Sequence, residues 1–361
     1  MSQVVFLTVE PSSCVDTVFK THPSWIHPHL TQDIDLVKGR QLRVSALIPK
    51  GTCLLIDRPY AIIPVVDNPP ENDDLTCSNP ACNQRVTRHT ERCPCPNACI
   101  RDVRWCSSSC READSVRHGF ECTWLKRYSE SIRAKWGEYD FGMLWVIVRL
   151  LATRQGESQH SKSISESELA LKGWKSGWDS ISLLCGSSDT WSHERVRSWT
   201  VLVKKYLQNS PILPHGLSTD QVLHLICQEE ANSFGLYPKE TGHFPVPESA
   251  SPRGEQFAAA VYSTAAMANH SCAPNIVHKP NDQGYMVFTA SRDMHPGEEC
   301  CISYFDLTQH TDLTSRREHL QRSFRFVCRC ERCLSDEKLE KIEEPEQSSS
   351  EWTAMPMMDI L

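Results

Sequence analysis

The sequence predicts an α+β protein in which strand-forming segments lie on both sides of a cysteine-rich block and a helical region. Apolar and polar residues alternate over residues 43–66, and residues 231–306 combine short strand-like runs with many turns. Between these segments, residues 124–230 carry apolar side chains at helical spacing. Cysteines are concentrated in residues 77–122 and again in residues 328–333, which indicates metal sites in addition to a hydrophobic core.

The composition argues against several classes of protein. A chain of 361 residues is long enough for two or three domains with a sizeable core. The net charge is −7, of which −6 comes from an acidic tail predicted over residues 335–361, so the overall charge does not favour phosphate binding. The apolar run at residues 4–7 is too short for a signal peptide, and that at residues 141–151 is shorter than the ~20 residues of a membrane helix. Without a secretory route, the 18 cysteines indicate zinc rather than disulfides, and therefore an intracellular protein of the nucleus or cytoplasm.

The first strands are predicted in residues 39–68. Val44 and Ile48 alternate with other residues before a turn at residues 49–51, and two apolar runs follow at residues 54–56 and 61–63. Residues 1–38 are expected to form an N-terminal extension, because Pro23 and Pro28 disfavour regular structure there. A polar, proline-containing linker leads into the cysteine-rich block.

The block of residues 77–122 has the composition of a double zinc site. It offers eight ligands within 46 residues: Cys77, Cys82, Cys95, Cys99, Cys106, Cys110, His118 and Cys122. Two tetrahedral zinc ions need eight such ligands, and the step from His118 to Cys122 is that of one helical turn. The alternative, a set of free buried cysteines, is less favoured because so many ligands lie so close together.

The helical region and the segment after it lead to a second ligand cluster. Met143 and Ile147 share one helical face, as do Val196, Trp199 and Val203. Residues 297–304 are predicted to form a turn and a strand that ends on a tyrosine, and residues 312–324 a helix. The closing cluster offers three thiolates, so a closed tetrahedral site needs a fourth ligand, for which Cys272 is the candidate; the set is Cys272, Cys328, Cys330 and Cys333.

The order of these motifs resembles that of the SMYD family of SET- and MYND-domain lysine methyltransferases. The core and post-SET segments match in Asn269-His270-Ser271-Cys272, in the Gly297-to-Tyr304 segment and in the closing cysteines, and residues 105–122 resemble a MYND finger. The resemblance implies a β-rich SET fold split by a MYND finger (77–122) and a helical insert (124–230). The remaining parts would be an N-terminal SET segment (39–68), a core SET segment (231–306), a zinc-bound post-SET segment (312–334) and the tail.

The resemblance also implies a metal count and a ligand pairing. The family interleaves its finger ligands, so one site would use Cys77, Cys82, Cys106 and Cys110 and the other Cys95, Cys99, His118 and Cys122, with Cys93 as a rival to Cys95. With the post-SET site, this makes three structural Zn²⁺ ions. The chain resembles a short form without the helical-repeat C-terminal domain of several members.

The expected activity is transfer of a methyl group from S-adenosylmethionine to a lysine of a protein substrate, such as a histone tail. By resemblance, Gly39, Arg40, Asn232, Asn269 and His270 would contact the cofactor. Tyr304 would orient the amine, and Phe324 and Phe326 would line an apolar lysine channel, which lowers the pKa of an ammonium group by desolvation. The finger would recruit a proline-rich partner.

Two positions depart from the family pattern, and two other functions remain as alternatives. Gln41 replaces a common glycine, and Ala266 replaces a serine that often supplies a polar contact. These departures favour a SET/MYND scaffold with decayed catalysis as the alternative. A nucleic-acid reader is the weaker alternative, because the seven arginines of residues 77–122 face five acids there.

Overall fold

The computed structural model describes residues 24–65, 74–87, 93–160, 174–186, 188–208 and 217–343. In these residues, strands from both ends of the chain form the sheets, and a helical layer covers them. Strands β4 (Cys53–Asp57) and β5 (Pro59–Pro64) confirm the two apolar runs predicted before residue 68.

Four antiparallel strands form the largest sheet. Its order is β1 (Trp25–Ile26), β4, β12 (Met286–Ala290) and β11 (Ile276–Pro280). Strand β4 joins the two halves of the chain, because it pairs with β1 on one side and with β12 on the other. Formation of this sheet therefore requires pairing between segments that are more than 200 residues apart in the sequence.

The N-terminal residues take part in this fold, which corrects the expectation of an irregular extension over residues 1–38. Strand β1 pairs with β4, and β2 (Leu30–Asp35) forms a hairpin with β3 (Gly39–Val44). Pro28 lies in the turn between β1 and β2, where its missing N–H interrupts no strand pairing. Within the predicted extension, residues 25–26 and 30–35 therefore belong to the sheets, whereas residues 1–23 lie outside the described part of the chain.

Smaller sheets place the functional segments. Strand β5 pairs with β9 (Ala258–Tyr262), and β9 pairs with β8 (Ser233–Leu236). A short parallel pair joins β10 (Asn269–His270) to β13 (Cys301–Ile302). In the cysteine-rich block, β6 (Asp74–Thr76) pairs with β7 (Arg85–Thr87).

The predicted helical region is helical in the structure, but it begins earlier. A short helix α1 (Ser108–Ala113) precedes the helical segment α2 (Ser115–His160), which is interrupted at Gly137 with φ 89° and ψ 174°. His118 and Cys122 therefore stand on the first turns of α2, so the finger and the insert share one element. Helices α3 (Gly177–Ile181), α4 (His193–Leu202) and α5 (Thr219–Asn232) follow. Their apolar faces and α2 bury Trp124, Trp145 and Trp199 in one core.

Two helices end the described chain. Helix α6 (Leu313–Phe324) confirms the helix predicted at residues 312–324, and Asp312 caps it by accepting a 2.8 Å hydrogen bond from the Ser315 amide. Helix α7 (Glu331–Glu343) corrects the acidic-tail prediction, because residues 335–343 are helical. Ion pairs to α6, Arg316–Asp336 and Arg317–Glu337, hold this part of the acidic segment. Residues 344–361 lie outside the described residues.

The apolar residues form three cores. One lies between the cysteine-rich block and the helical region, a second within the sheets, and a third around the closing cysteines. Within the described residues, no helix combines the length and the apolar character that crossing a membrane requires.

Candidate functional site

Strand pairing brings the predicted tyrosine and the Asn-His segment together. In the parallel pair of β10 with β13, Asn269 faces Cys301 and His270 faces Ile302. The chain leaves β13 so that the Tyr304 amide donates a 3.1 Å hydrogen bond to His270 Nδ1. The Tyr304 hydroxyl donates to the carbonyl oxygen of Ala268 at 3.1 Å. These bonds fix both ends of the tyrosine relative to the Asn269-His270 segment.

Burial sets the protonation of both rings. It lowers the pKa of His270 to about 3, so the imidazole is neutral and its Nδ1 can accept the Tyr304 amide. Burial, followed by the neighbouring Cys301 and Glu299, raises the pKa of Tyr304, so the phenol keeps its proton at neutral pH. Tyr304 is therefore a hydrogen-bonding group rather than a base in this geometry.

Two cavities meet at Tyr304. The smaller has a volume of about 60 Å³, and its lining includes Phe234, Ala266 and Ala268. The larger has a volume of about 550 Å³ and extends along the start of β8 and the end of α6. The residues that line both are Ser233, Gly235, Arg253, Tyr304 and Phe324. A wide chamber thus leads past an aromatic pair into a narrow pocket.

Some of the aromatic residues near Tyr304 line the cavities, and others pack behind the cavity walls. The Phe324 ring lies 4.9 Å from that of Tyr304 and borders both cavities. The Phe326 ring lies 6.3 Å from Tyr304 and 6.0 Å from His270, borders neither of these two cavities and packs against the core of the closing cysteines. Phe234, which was not predicted as a site residue, borders the small cavity instead. Its signal in the sequence was its place directly after Asn232-Ser233.

The predicted cofactor residues lie near this site but line neither cavity, apart from Asn232. Gly39 begins β3 in the left-handed region, with φ 77°, a conformation that favours glycine. The Asn269 amide donates to Glu299 Oε1 at 2.8 Å and to the Arg40 carbonyl oxygen at 3.4 Å. Arg40 Nε is buried and donates no hydrogen bond to the described residues. A buried donor of this kind fits the carboxylate of an amino-acid cofactor.

The amide group of Asn232 is already engaged by the protein. It donates to the carbonyl oxygens of Cys185 at 2.6 Å and of Gln228 at 2.7 Å. These bonds tie the end of α5 to the segment after α3. Asn232 therefore positions the wall of the small cavity, and only its side-chain oxygen remains for a ligand.

The structure explains how Gln41 is accommodated in place of glycine. Its backbone is not among the left-handed positions of the described chain, so the position does not require glycine. The side chain is buried, and its Nε2 donates a 3.0 Å hydrogen bond to Asp33 on the paired strand β2. The fold therefore accommodates a glutamine at position 41 without left-handed backbone.

Three clusters of potential metal ligands are present in the described residues. Their members are Cys77, Cys82, Cys106 and Cys110; Cys95, Cys99, His118 and Cys122; and Cys272, Cys328, Cys330 and Cys333. In each, the ligand atoms lie within 4.8 Å of one another. These are the groupings that the resemblance implies, with Cys95 rather than Cys93 in the second.

The sulfur separations fit zinc better than disulfides. Cys106 Sγ lies 3.4 Å from Cys110 Sγ, and Cys272 Sγ lies 3.5 Å from Cys333 Sγ. A disulfide needs about 2.05 Å. A tetrahedron with Zn–S bonds of about 2.3 Å has edges of about 3.8 Å, close to the observed separations.

A buried carboxylate that the sequence reasoning missed supports the second cluster. His118 directs Nε2 at Cys95 Sγ, at 3.3 Å, and Nδ1 at Glu121 Oε1, at 3.0 Å. Glu121 is also bonded by Arg149 Nε at 2.7 Å and Nη2 at 2.9 Å. Burial would raise the pKa of Glu121, but Arg117 and Arg149 outweigh it and hold that pKa well below its usual range. A metal-facing histidine with a carboxylate behind it is a common second layer of zinc sites.

Comparison with known proteins identifies the family. The SET-domain family pattern matches residues 39–305 of this chain. This chain belongs to the SET-domain family. Its curated relatives include proteins named N-lysine methyltransferase SMYD2.

The relatives are similar at low identity and are longer than this chain. Human N-lysine methyltransferase SMYD2 is 23% identical over 302 residues, which cover 83% of this chain and 59% of that protein. Bovine N-lysine methyltransferase SMYD2 is 24% identical over 235 residues, which cover 65% of this chain and 46% of that protein. A potential protein lysine methyltransferase, SET6 of Saccharomyces cerevisiae, is 35% identical over 120 residues, 33% of this chain and 30% of that protein. The chain thus spans about half the length of the curated SMYD2 relatives it matches.

Among solved structures, the chain is similar to the SET domain of LSMT bound to lysine and AdoHcy. The similarity covers 88% of this chain and 58% of that one, at 10% identity and a TM-score of 0.39.

Proposed function

We propose that this protein is an S-adenosylmethionine-dependent protein-lysine N-methyltransferase. The observation that carries the proposal is the position of Tyr304 at the junction of a wide chamber and a narrow aromatic pocket, fixed by hydrogen bonds to His270 and to the Ala268 carbonyl oxygen. Membership of the SET family and relatives named as N-lysine methyltransferases support the same reaction.

The residues of the chain would bind and orient the reactants. The cofactor supplies an electrophilic methyl group when bound. Arg40, Asn269 and His270 would hold it, with the buried Arg40 Nε as a free donor for its carboxylate. The faces of Phe234 and Phe324 would exclude water from the substrate amine. The Tyr304 hydroxyl would align the amine, and desolvation in this pocket would favour the neutral, nucleophilic form of lysine.

Zinc is proposed to be structural at three positions. The two clusters of residues 77–122 would form a MYND-type finger, and the cluster that contains Cys272 would form a post-SET site. The third site matters most for the reaction, because Cys272 lies two residues after His270 and Cys328 lies four residues after Phe324. A zinc ion there would join the cofactor segment to the aromatic wall.

The remaining parts of the proposal concern partners and location. The substrate would be a lysine-containing protein, such as a histone tail. The finger would recruit proline-rich segments, and the protein would act in the nucleus or cytoplasm. The segment boundaries expected from the sequence serve as the proposed domains, with the N-terminal strands added to the SET part and residues 335–343 to helix α7.

Calorimetry tests the proposal directly. S-adenosylmethionine titrated into the protein should bind with a 1:1 stoichiometry, and Asn269→Ala should weaken this binding. Labelled-methyl transfer to peptide pools should then occur with the wild type and fall at least ~100-fold in Tyr304→Phe, because the aligning hydroxyl is lost. Failure of the folded wild type to bind the cofactor would instead favour a scaffold with decayed catalysis.

A further inference from the structure

The large cavity contains two glutamates that the proposed reaction does not use. Glu229 and Glu230 close helix α5 and line the chamber of about 550 Å³, but neither lines the small pocket beyond Tyr304. Glu229 is only 6% exposed, and the Glu230 side chain only 7%. They are therefore buried acids at the wall of the chamber through which a peptide would approach.

Three physical effects oppose a negative charge at this place. Burial, and then the neighbouring Glu230, raise the pKa of Glu229 well above its usual range. The glutamates also stand at the negative end of the α5 dipole, and the last turn of the helix contains no basic residue. Burial, like charge and the helix dipole all disfavour a carboxylate pair here, so the stability of the fold alone does not explain the pair.

The acids are incompletely matched by cations of the described chain. The hydroxyl of Tyr139 donates to Glu230 Oε2 at 2.6 Å, whereas Glu230 Oε1 is buried, accepts no hydrogen bond from the described residues and lies 3.9 Å from Arg195 Nη2. For Glu229, the interacting groups are Glu230 and the hydroxyl of Ser233, and no described cation pairs with it. Glu230 Oε1 therefore has a cation at the outer limit of ion-pair distance but no hydrogen-bond donor, and a donor that enters from the chamber would complete its bonding.

The arginines of the chamber wall have partners of their own. Arg133 pairs with Asp102 at 2.8 Å and with Glu138 at 3.1 Å. The Arg253 guanidinium lies 3.6 Å from the centre of the Tyr237 ring. Neither arginine forms an ion pair with Glu229 or Glu230. Among the described residues, Arg195 is thus the one cation that pairs with Glu230, at 3.9 Å, and Glu229 has no such partner.

We propose that Glu229 and Glu230 form a cation subsite that binds an arginine or lysine side chain of the substrate close to the methylated lysine. The subsite binds a neighbouring residue rather than the reacting amine, because the glutamates border only the chamber and not the narrow pocket. This inference rests on the proposed methyltransferase function and specifies its substrate class: a lysine with a second basic residue nearby.

A peptide array separates the subsite from the reaction. Each peptide carries one central lysine in an alanine-glycine background, with a single arginine or its neutral isostere citrulline at one position from four before to four after the lysine. Labelled-methyl transfer and, separately, fluorescence-polarisation binding are measured with the full chain. One or two arginine positions should improve both readouts about tenfold over citrulline in the wild type, as expected for a charge pair with a buried partner.

Two variants assign the preference to its residues. In Glu229→Gln and Glu230→Gln the arginine preference should fall to about twofold or less, because the shape of the side chain is kept and its charge is removed. Glu138→Gln is the matched control, since Glu138 lines the same chamber but is already paired with Arg133, and it should keep the preference. Glu229→Gln should also raise the melting temperature, because an unfavourable buried charge is lost, which shows that the variant is folded.

Each outcome decides one of the two proposals. Arginine-dependent binding that disappears in the glutamine variants, without methyl transfer to any peptide, supports the subsite and contradicts the methyltransferase. Methyl transfer with no arginine preference at any position overturns the subsite and leaves the methyltransferase intact. A preference that survives in both glutamine variants, or that Glu138→Gln abolishes equally, also overturns the assignment to Glu229 and Glu230.

Discussion

Replacing Glu121 by glutamine should both destabilise the protein and loosen the metal of the second cluster. The carboxylate is fully buried and joins two parts of α2: it accepts from Arg149 after the interruption at Gly137 and contacts His118 and Arg117 near the start of the segment. Arg149 Nη1 in turn donates to the carbonyl oxygen of Ile62 on β5 at 3.0 Å. One side chain thus links the cysteine-rich block to the sheet that supports the candidate site.

The size of the effect follows from what remains after the substitution. Arg117 keeps Asp114, with Nε 2.5 Å from Oδ1, whereas Arg149, only 3% exposed, keeps the Ile62 carbonyl and loses its only ion-pair partner among the described residues. Removing one partner of a buried ion pair costs about 3–5 kcal/mol of stability. Loss of the carboxylate behind a zinc-binding histidine weakens metal binding by about 10–100-fold. Both effects are expected in Glu121→Gln.

Two assays separate these effects. Urea unfolding of the zinc-loaded protein measures the loss of stability, and zinc transfer to a chromophoric chelator measures the metal affinity. The control is Glu112→Gln, an exposed acid on α1, which should match the wild type in both. The double variant Glu121→Met/Arg149→Met should recover most of the stability, because an apolar pair replaces a buried ion pair at little cost, but not the zinc affinity.

The direction in which the stabilising contribution of Glu121 changes with pH follows from its lowered pKa. Because the folded pKa of Glu121 lies below its unfolded value of 4.5, its contribution to stability is present above that value and is lost as the pH falls through the folded pKa. The variant should therefore lose less stability than the wild type on acidification. Unfolding curves and zinc release identical to the wild type at neutral pH would refute the linkage described here.

Three further predictions concern the site itself. Asp57 accepts the amides of Thr264 and Ala265 at 2.7 and 2.8 Å, and burial raises its pKa from 3.8 to about 6. As the pH rises from 4 to 6, the wild type should therefore lose roughly 2 kcal/mol of stability relative to Asp57→Asn, and parallel urea-unfolding profiles of the two proteins would contradict this. Phe324→Tyr should lower the degree of lysine methylation seen by mass spectrometry, because its hydroxyl narrows the pocket; strict monomethylation by both proteins would count against it. Cys272→Ser should lose one zinc per chain and most activity while the finger keeps its metal, and unchanged zinc content would exclude Cys272 as a ligand.

Short-range patterns explain the sequence predictions that the structure confirms. The apolar runs of β4 and β5, the helical spacing in α2 and α4, and the helix predicted at residues 312–324 are each encoded within a few residues. The same holds for the pairs of cysteines, whose spacing alone indicates metal ligation. For the candidate site, the sequence indicated Tyr304 and the Asn269-His270 segment, because they belong to recognisable motifs.

Other features depend on partners far along the chain. Strand β1 has only two residues and is stabilised by pairing with β4. Its short length and the nearby Pro28 prevented its prediction from the sequence. The start of the predicted tail is helical because Arg316 and Arg317 of α6 pair with it. No local rule distinguishes these acids from a solvated tail.

The sequence by itself determined the ligand types, the order of the motifs and the α+β class, because each is written in local spacing and residue chemistry. Only the tertiary structure decided which cysteines meet, that Phe234 rather than Phe326 lines the small pocket, and that Glu121 joins the finger to the sheet through Arg149. It also placed Glu229 and Glu230 at the chamber wall. The physical reason is that burial and charge pairing are properties of the closed fold: Glu121 and Arg149 are 28 positions apart on a helical segment kinked at Gly137, and the direction of that kink sets the contact.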